Sequence, residues 1–369
     1  MKLRENARWA MVVPTSMGIR IAPELGQPVH TADRFLMQVT SAETNVASVP
    51  AALGMPVKVL TAFVADSPIS AMIKANLRSR GMTFEGPDLP QGDAWGLRHQ
   101  FNIADAGYGA RGPRVWNDRA GEVGRELSVD QFDLERLFGA EGVQILHMSG
   151  LVAAISPKTS EFCVELAKAA TRHGTAVSMD MNYRASFWRG REEELAAAFH
   201  TIAEHCDILY GNEEDFQLCL GIEGPAAGGS EIDAQIEEFK GMIGRIRAAY
   251  PRARYIGTSL REVVSANHHK WGLVLWGAGE SAGPGEPADA GEYAVCPLRD
   301  IGVLDRIGGG DGSVGGVLYG VLSGWSVQEC AQFGWATGAL AATSVYDYGQ
   351  PADEEQVWSI WAGNARVKR

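Results

Sequence analysis

From residue 144 to residue 210 the chain alternates two periodicities, and that alternation limits the folds open to it. Residues 144–148, 176–181 and 207–210 are short, almost continuously apolar runs, while residues 157–173 and 191–205 between them carry apolar side chains at helical spacing. Buried strands joined by helices of this length pair in parallel, each helix crossing back over one face. The pattern therefore predicts an α/β chain with a doubly wound, mostly parallel sheet.

The flanking segments extend this reading. Residues 10–21 (AMVVPTSMGIRI) form an apolar run broken by Pro14 and Gly18, expected to be a first core strand that leaves the sheet through an irregular turn where a ligand could bind. Residues 42–54 have helical spacing before a glycine stop, and residues 57–64 read as one continuous buried strand. Residues 92–125 are Gly-rich, carry Trp95, Phe101, Tyr108 and Trp116 among polar residues and show no helical period, so a β excursion forming part of a lid is expected. Further on, residues 221–230 and 277–291 read as Gly/Pro-rich loops, the first preceding a long helix over 232–250 and the second joining short strands. Beyond Val303 the spacing predicts a glycine turn, a helix to Leu322, a longer one from Val327 to about 345 and a last one near 354–363.

Composition narrows the function. The net charge is -12 and no Lys/Arg run is present, which argues against nucleic acid as a partner and means that a small anionic substrate needs a local basic site. Five cysteines, odd in number and without a C-x-x-C pair, read as buried thiols in a reducing compartment. The polar first nine residues and the lack of eighteen consecutive apolar residues favour a cytoplasmic enzyme or binding protein without a membrane partner.

The sharpest local feature is Leu304-Asp305-Arg306-Ile307-Gly308-Gly309-Gly310-Asp311-Gly312-Ser313, followed by VGGVLYGVL. Glycines allow a tight turn and close approach of backbone to ligand, and free N–H groups at a helix start attract an anion. Asp311 at the mouth of such a hole can accept a proton from an attacking hydroxyl while the amides meet charge on a phosphoryl group. A capped helix start explains the same residues without chemistry. Neither G-x-x-x-x-G-K-[ST] nor an early G-x-G-x-x-G is present.

The run Asp305 to Asp311 resembles the D-x-x-G-A/G-G-D signature of ribokinase-like carbohydrate kinases, whose aspartate deprotonates a sugar hydroxyl. Gly150, Asp180-Met181-Asn182-Tyr183-Arg184 and Tyr210-Gly211-Asn212-Glu213-Glu214-Asp215 fall in the family's order. The D-x-N-x-R stretch with Phe187-Trp188, the GNEEDF and LREVVSA segments and the ending Gly363-Asn364-Ala365-Arg366-Val367 look most similar to its 2-keto-3-deoxygluconate kinases. The resemblance implies one three-layer α/β/α domain over residues 1–369, with a small β lid from about 18–41 and 92–125. It implies ATP with Mg²⁺ as donor, leaves a K⁺ requirement open, and suggests by analogy a homodimer through the lid strands.

By the same resemblance Asp311 is the base and Gly308, Gly309 and Gly310 the anion hole. Arg184, Thr40, Ser41, Asn45 and Arg119 face the sugar acid. Asn182, Asn212, Asp215, Thr258, Ser259 and Leu260, with Gly310, face the nucleotide, and Mg²⁺ has no direct protein ligand but stands through water near Asp215. Thr40-Ser41 replace a glycine pair and Gly312-Ser313 an aromatic after the base. The stretch Thr258-Ser259-Leu260-Arg261 is expected as a loop following a strand, where the family places a loop against the nucleotide, with an ordinary strand-end turn as the alternative; Trp271 and Trp276 are expected as packing, and His268-His269 as a solvated turn. Alternatives are a kinase for another sugar or nucleoside, or a sugar or nucleotide sensor on the same fold.

Overall fold

The computed structural model describes residues 1–226, 235–279 and 291–366. Its first third runs β1 (Trp9–Pro14), β2 (Gly18–Pro23), β3 (Phe35–Thr40), α1 (Ala42–Ala52), β4 (Val57–Leu60), β5 (Phe63–Val64), α2 (Pro68–Ser79), β6 (Met82–Glu85), β7 (Asp88–Leu89), β8 (Gln100–Asp105) and β9 (Arg114–Asp118). The middle follows as β10 (Val143–Ser149), α3 (Gly150–Ala154), α4 (Pro157–Arg172), β11 (Ala176–Asp180), α5 (Ala185–Trp188), α6 (Glu192–His205), β12 (Ile208–Tyr210), α7 (Glu213–Leu220) and α8 (Ile236–Ala249). The last part is β13 (Tyr255–Ser265), β14 (His268–Gly277), β15 (Glu292–Gly302), α9 (Gly309–Leu322), α10 (Val327–Ala342) and α11 (Glu354–Trp361).

Nine strands form one sheet in the order β15-β14-β13-β12-β11-β10-β1-β4-β6. From β6 to β13 every pairing is parallel, and β13, β14 and β15 finish the sheet as an antiparallel meander. Side chains alternate across it: Met11 and Val13 enter a core with α1, α9 and α10, whereas Val12 enters a second core with α4, α6 and α8. Two cores on opposite faces of one sheet make the three layers that the family resemblance implies. The five cysteines are buried and unpaired, and among the described residues no helix is long and apolar enough to cross a membrane.

Several boundaries differ from expectation. The run 57–64 is split, because Thr61 donates its N–H to Glu85 and the chain turns to pair β5 with the short β7. The stretch 258–261 is the middle of β13, an eleven-residue strand paired along its length with β14. His268 and His269 lie in β14; His269 is buried and His268 pairs with Asp300 at 2.6 Å, so neither forms a solvated turn. The helix expected over 232–250 runs from Ile236 to Ala249, its first three expected residues lying outside the described residues, as do most of the 277–291 loop, the end of the 221–230 loop and Val367.

A second sheet, β3-β2-β8-β9, stands off the main one. It is tied down on both sides of the opening beneath it. On one side Gln38 Nε2 donates to Val345 O at 2.7 Å, Thr40 donates to the Asp347 carboxylate, and Arg20 pairs with Asp305. On the other, Gly109 N donates to Asn267 Oδ1 at 2.7 Å and Ala266 N donates to Gly109 O at 2.9 Å, joining the β8–β9 loop to the tip of the β13–β14 hairpin.

Candidate active site

Between lid and core lies a cleft of about 930 Å³ at the carboxyl ends of the central strands, the usual ligand position in a parallel sheet. Its floor is the glycine turn. Gly308 caps α9 with φ +87°, and a Cβ there would stand 1.8 Å from Asp347 O, so only glycine fits. Gly312 also meets α10 closely: a Cβ would lie 2.9 Å from Thr337 O and from Ala341 Cβ. The residue after Asp311 is small because two helices touch there, and Ser313, in the place of the expected aromatic, shares a 3.1 Å hydrogen bond with the Tyr210 hydroxyl.

Asp311 sits in the first turn of α9 and is held from α1, where Asn45 Nδ2 donates to Asp311 Oδ2 at 2.9 Å. Burial in the cleft floor pushes its carboxyl up to about 7; the Asn45 bond and the more distant Arg184 pull the other way, while Asp347 adds to the rise. Glu43, two residues before Asn45 in α1 and hydrogen-bonded by Thr15, is also pushed up to about 7, mainly by burial.

The strand ends β11 and β12 supply the opposite wall. Asn212 Oδ1 accepts from Asp215 N at 2.8 Å, and Asp215 Oδ2 accepts from Asn212 N at 3.0 Å, a reciprocal helix cap. Asp215 Oδ1 accepts a third bond, from Tyr183 N at 2.9 Å, tying the two loops together. Asn182 holds φ +41° and donates to Ser149 Oγ at 3.1 Å. Asp180 faces the cleft with its carboxyl held well above the ordinary range, by burial first and then by Asp215 and Asp311. Arg184 makes no ion pair with Asp180; one of its N–H groups donates to Tyr183 O at 2.7 Å, and its guanidinium lines the cleft.

The cleft brings together Asp311, Gly308, Gly310, Arg184, Thr40, Ser41, Asn45, Arg119, Asn182, Asn212, Asp215 and Ser259. Thr258, Leu260 and Gly309 do not line it: Thr258 and Leu260 are buried on the other side of β13, and Gly309 is covered inside the turn. Sequence reasoning missed Arg20, Asn102, Arg306 and Asp347, all of which line it, and placed Arg261 only as the end of a loop rather than on the strand face that lines it. The signal available for Arg20 was a charge inside the apolar run Gly18–Pro23; for Arg261 it was the two-residue period, which places it with Ser259.

The pattern of the pfkB family carbohydrate kinases matches residues 125–248 and 288–353, just over half of the chain and including the glycine turn. The chain belongs to the pfkB family. A 5-dehydro-2-deoxygluconokinase of Clostridium perfringens is 25% identical over 226 residues, 61% of this chain and 56% of that protein, so the match spans little more than half of the relative's length. A 2-dehydro-3-deoxygluconokinase from Thermotoga maritima superposes with a TM-score of 0.82 at 24% identity, covering 96% of this chain and 100% of that one. A putative ribokinase II from E. coli, solved in complex with ATP and Mg²⁺, superposes with a TM-score of 0.72 at 16% identity, over 96% and 99% of the two chains. The two structural likenesses bear out the ribokinase-like fold expected from the signature, and this pfkB member carries its Asp311 and glycine turn at the floor of the cleft.

Proposed function

We propose that the protein is an ATP-dependent kinase of keto-deoxy sugar acids, with 2-keto-3-deoxygluconate as its first candidate acceptor. The observation that carries this reading is Asp311, a desolvated carboxyl pushed to about 7 and aimed by Asn45 at the mouth of the Gly308–Gly310 turn. A base with that affinity accepts a proton near neutral pH. The acceptor hydroxyl gives its proton to Asp311 as its oxygen bonds to the γ-phosphorus; the bond from that phosphorus to the bridging oxygen breaks, and its electron pair leaves on ADP. The free amides at the start of α9 meet the charge on the transferring group.

The acceptor pocket is the lid side. Buried polar atoms without a partner converge there: Arg20 Nη1, Arg119 Nε, Asn45 Oδ1, Asn102 Oδ1, Gln100 Oε1 and Asp347 Oδ1. Unpaired buried donors and acceptors are costly, and a polyhydroxy acid satisfies both kinds. Arg119, at 2.6 Å from Glu122, and Arg184 supply positive charge for the carboxylate. Mg²⁺ travelling with the nucleotide supplies charge neutralisation. Asp215, whose oxygens already accept backbone N–H groups, is suited to meet it through water. The names of the curated relatives favour 5-dehydro-2-deoxygluconate, an isomeric keto-deoxy acid, as the second candidate. Phe35, Met37 and Trp116 are exposed on lid strands, which supports a homodimer through the lid, and five buried thiols support a cytoplasmic setting.

ADP release in the presence of ATP, Mg²⁺ and each of these acids, beside ribose, fructose and adenosine, tests the reading. Turnover on a keto-deoxy acid at least tenfold above the neutral compounds is expected; a neutral sugar or nucleoside as best acceptor would overturn the acid specificity, and silence throughout would favour a sensor. Asn45→Ala removes the hydrogen bond that favours ionised Asp311, which raises the carboxyl further. The acid limb of the pH–rate profile, shared with Glu43, should move to higher pH. A bond to a charged group of about 1.5 kcal/mol corresponds to roughly tenfold slower turnover near pH 7, recovering toward pH 9.

A further inference from the structure

Five arginines line the cleft and, among the described residues, no lysine does. Arg20 is committed to Asp305, Arg119 to Glu122, and Arg184 donates to a carbonyl. The guanidinium groups of Arg261 and Arg306 make no hydrogen bond or ion pair with any described residue, so two charges without a protein partner face the same cavity. Arg261 extends from β13 on the face that also presents Ser259 and Val263, opposite Trp271 of β14. Arg306 stands two residues before Gly308, at the approach to the anion hole.

Their fields reach one another and their surroundings. Arg261 is brought down to about 10, by burial first, then by Arg306, with Arg184 acting in the same sense against Glu213 and Asp215. Burial and Arg184 lower Arg306, against Asp305. His269 of β14 is driven down to about 4 by burial and then by Arg261 and Arg306. A protein of net charge -12 has concentrated unpaired positive charge at one place.

We propose that Arg261 and Arg306 are the polyphosphate grip of this site, holding the β- and γ-phosphates of the nucleotide donor and receiving the charge that develops on the departing diphosphate. The proposal rests on the kinase reading above. Position separates these two from the acceptor's arginines. Arg20 and Arg119 belong to the lid wall, whereas Arg261 and Arg306 belong to the core wall, with Glu213 and Asp215 of α7 beside Arg261 and the glycine turn beside Arg306. Charge separates them too: two unpaired guanidinium groups match a polyphosphate better than a single carboxylate. In the transfer, the electron pair of the broken phosphorus–oxygen bond settles on the β-phosphate of ADP, and fixed cations at that point stabilise the transition state more than the ground state.

The test uses Arg261→Met, Arg306→Met and the double variant of the full chain. Binding of ATP and of inorganic tripolyphosphate is measured by calorimetry without sugar, and steady-state rates are measured with each substrate varied. Each single variant is expected to lose about 10²-fold in kcat/KM for ATP, with the KM of the sugar acid within twofold of wild type. Tripolyphosphate binding should disappear in the double variant, and Arg306→Lys should recover part of the loss. Because neither guanidinium has a partner in the fold, Tm should be unchanged or higher, which separates lost binding from lost folding. Unchanged tripolyphosphate affinity in the double variant would overturn the proposal, as would a rise in sugar-acid KM with ATP kinetics intact. If the wild-type protein binds neither ATP nor tripolyphosphate, the kinase reading fails and the grip with it.

Discussion

Asp311→Asn is expected to lower kcat by about 10²–10⁴-fold while leaving nucleotide and sugar-acid affinities within a few-fold of wild type. The amide fills the same space and can still face Asn45, but it cannot accept the hydroxyl proton. The same substitution should stabilise the fold, and the gain should depend on pH. The Asp311 carboxyl binds its proton more tightly folded, at about 7, than unfolded, near 3.8. Its contribution to stability is therefore fully present below about pH 4 and is lost as pH rises toward 7 and levels off above. The asparagine variant escapes that loss, so its Tm advantage should widen between pH 5 and pH 8. A constant Tm difference across that range would show that Asp311 is an ordinary carboxylate, and full activity in the variant would remove it from the chemistry.

The strands β10, β11 and β12 and the helices α4 and α6 were legible to within a residue or two because each strand is buried on both faces and each helix carries a single apolar stripe, whereas the short α3 and α5 were not read. Period and burial coincide there, and local pattern suffices. The glycine turn was legible for a different reason: Gly308 has no substitute at φ +87° against Asp347, so the turn is written into the residue type. What could not be read were contacts made across the chain. Arg20 meets Asp305 285 positions later and Thr40 meets Asp347 across 307, and no local periodicity encodes such pairings. Leu260 lies outside the cleft for a smaller reason. Once β13 is seen to continue to Ser265, strand alternation sends Thr258 and Leu260 away from the cleft and Ser259 and Arg261 into it.

The Arg20–Asp305 pair carries the second large prediction, because it joins the lid to the signature turn with both side chains almost wholly buried, at 2% and 6% exposure. Asp305 also orders the turn directly, its Oδ1 accepting from Ile307 N at 3.0 Å. Its carboxyl lies above the usual range because burial outweighs the help it receives from Arg20. Arg20→Met removes that help and strands a buried carboxylate, a loss of about 3–5 kcal/mol in urea unfolding. The loss should be smaller at pH 5 than at pH 8, since a carboxyl whose folded pKa is raised further is neutral at the lower pH and charged at the higher. Replacing both partners, as Arg20→Met with Asp305→Leu, should restore most of the stability by exchanging an ion pair for apolar packing. It should not restore turnover, because Ile307 loses its acceptor and the glycine turn its anchor to the lid. Recovery of stability with kcat still down at least tenfold would identify the pair as a positioning element for the turn. Recovery of both would reduce it to a buried contact that any well-packed pair can replace.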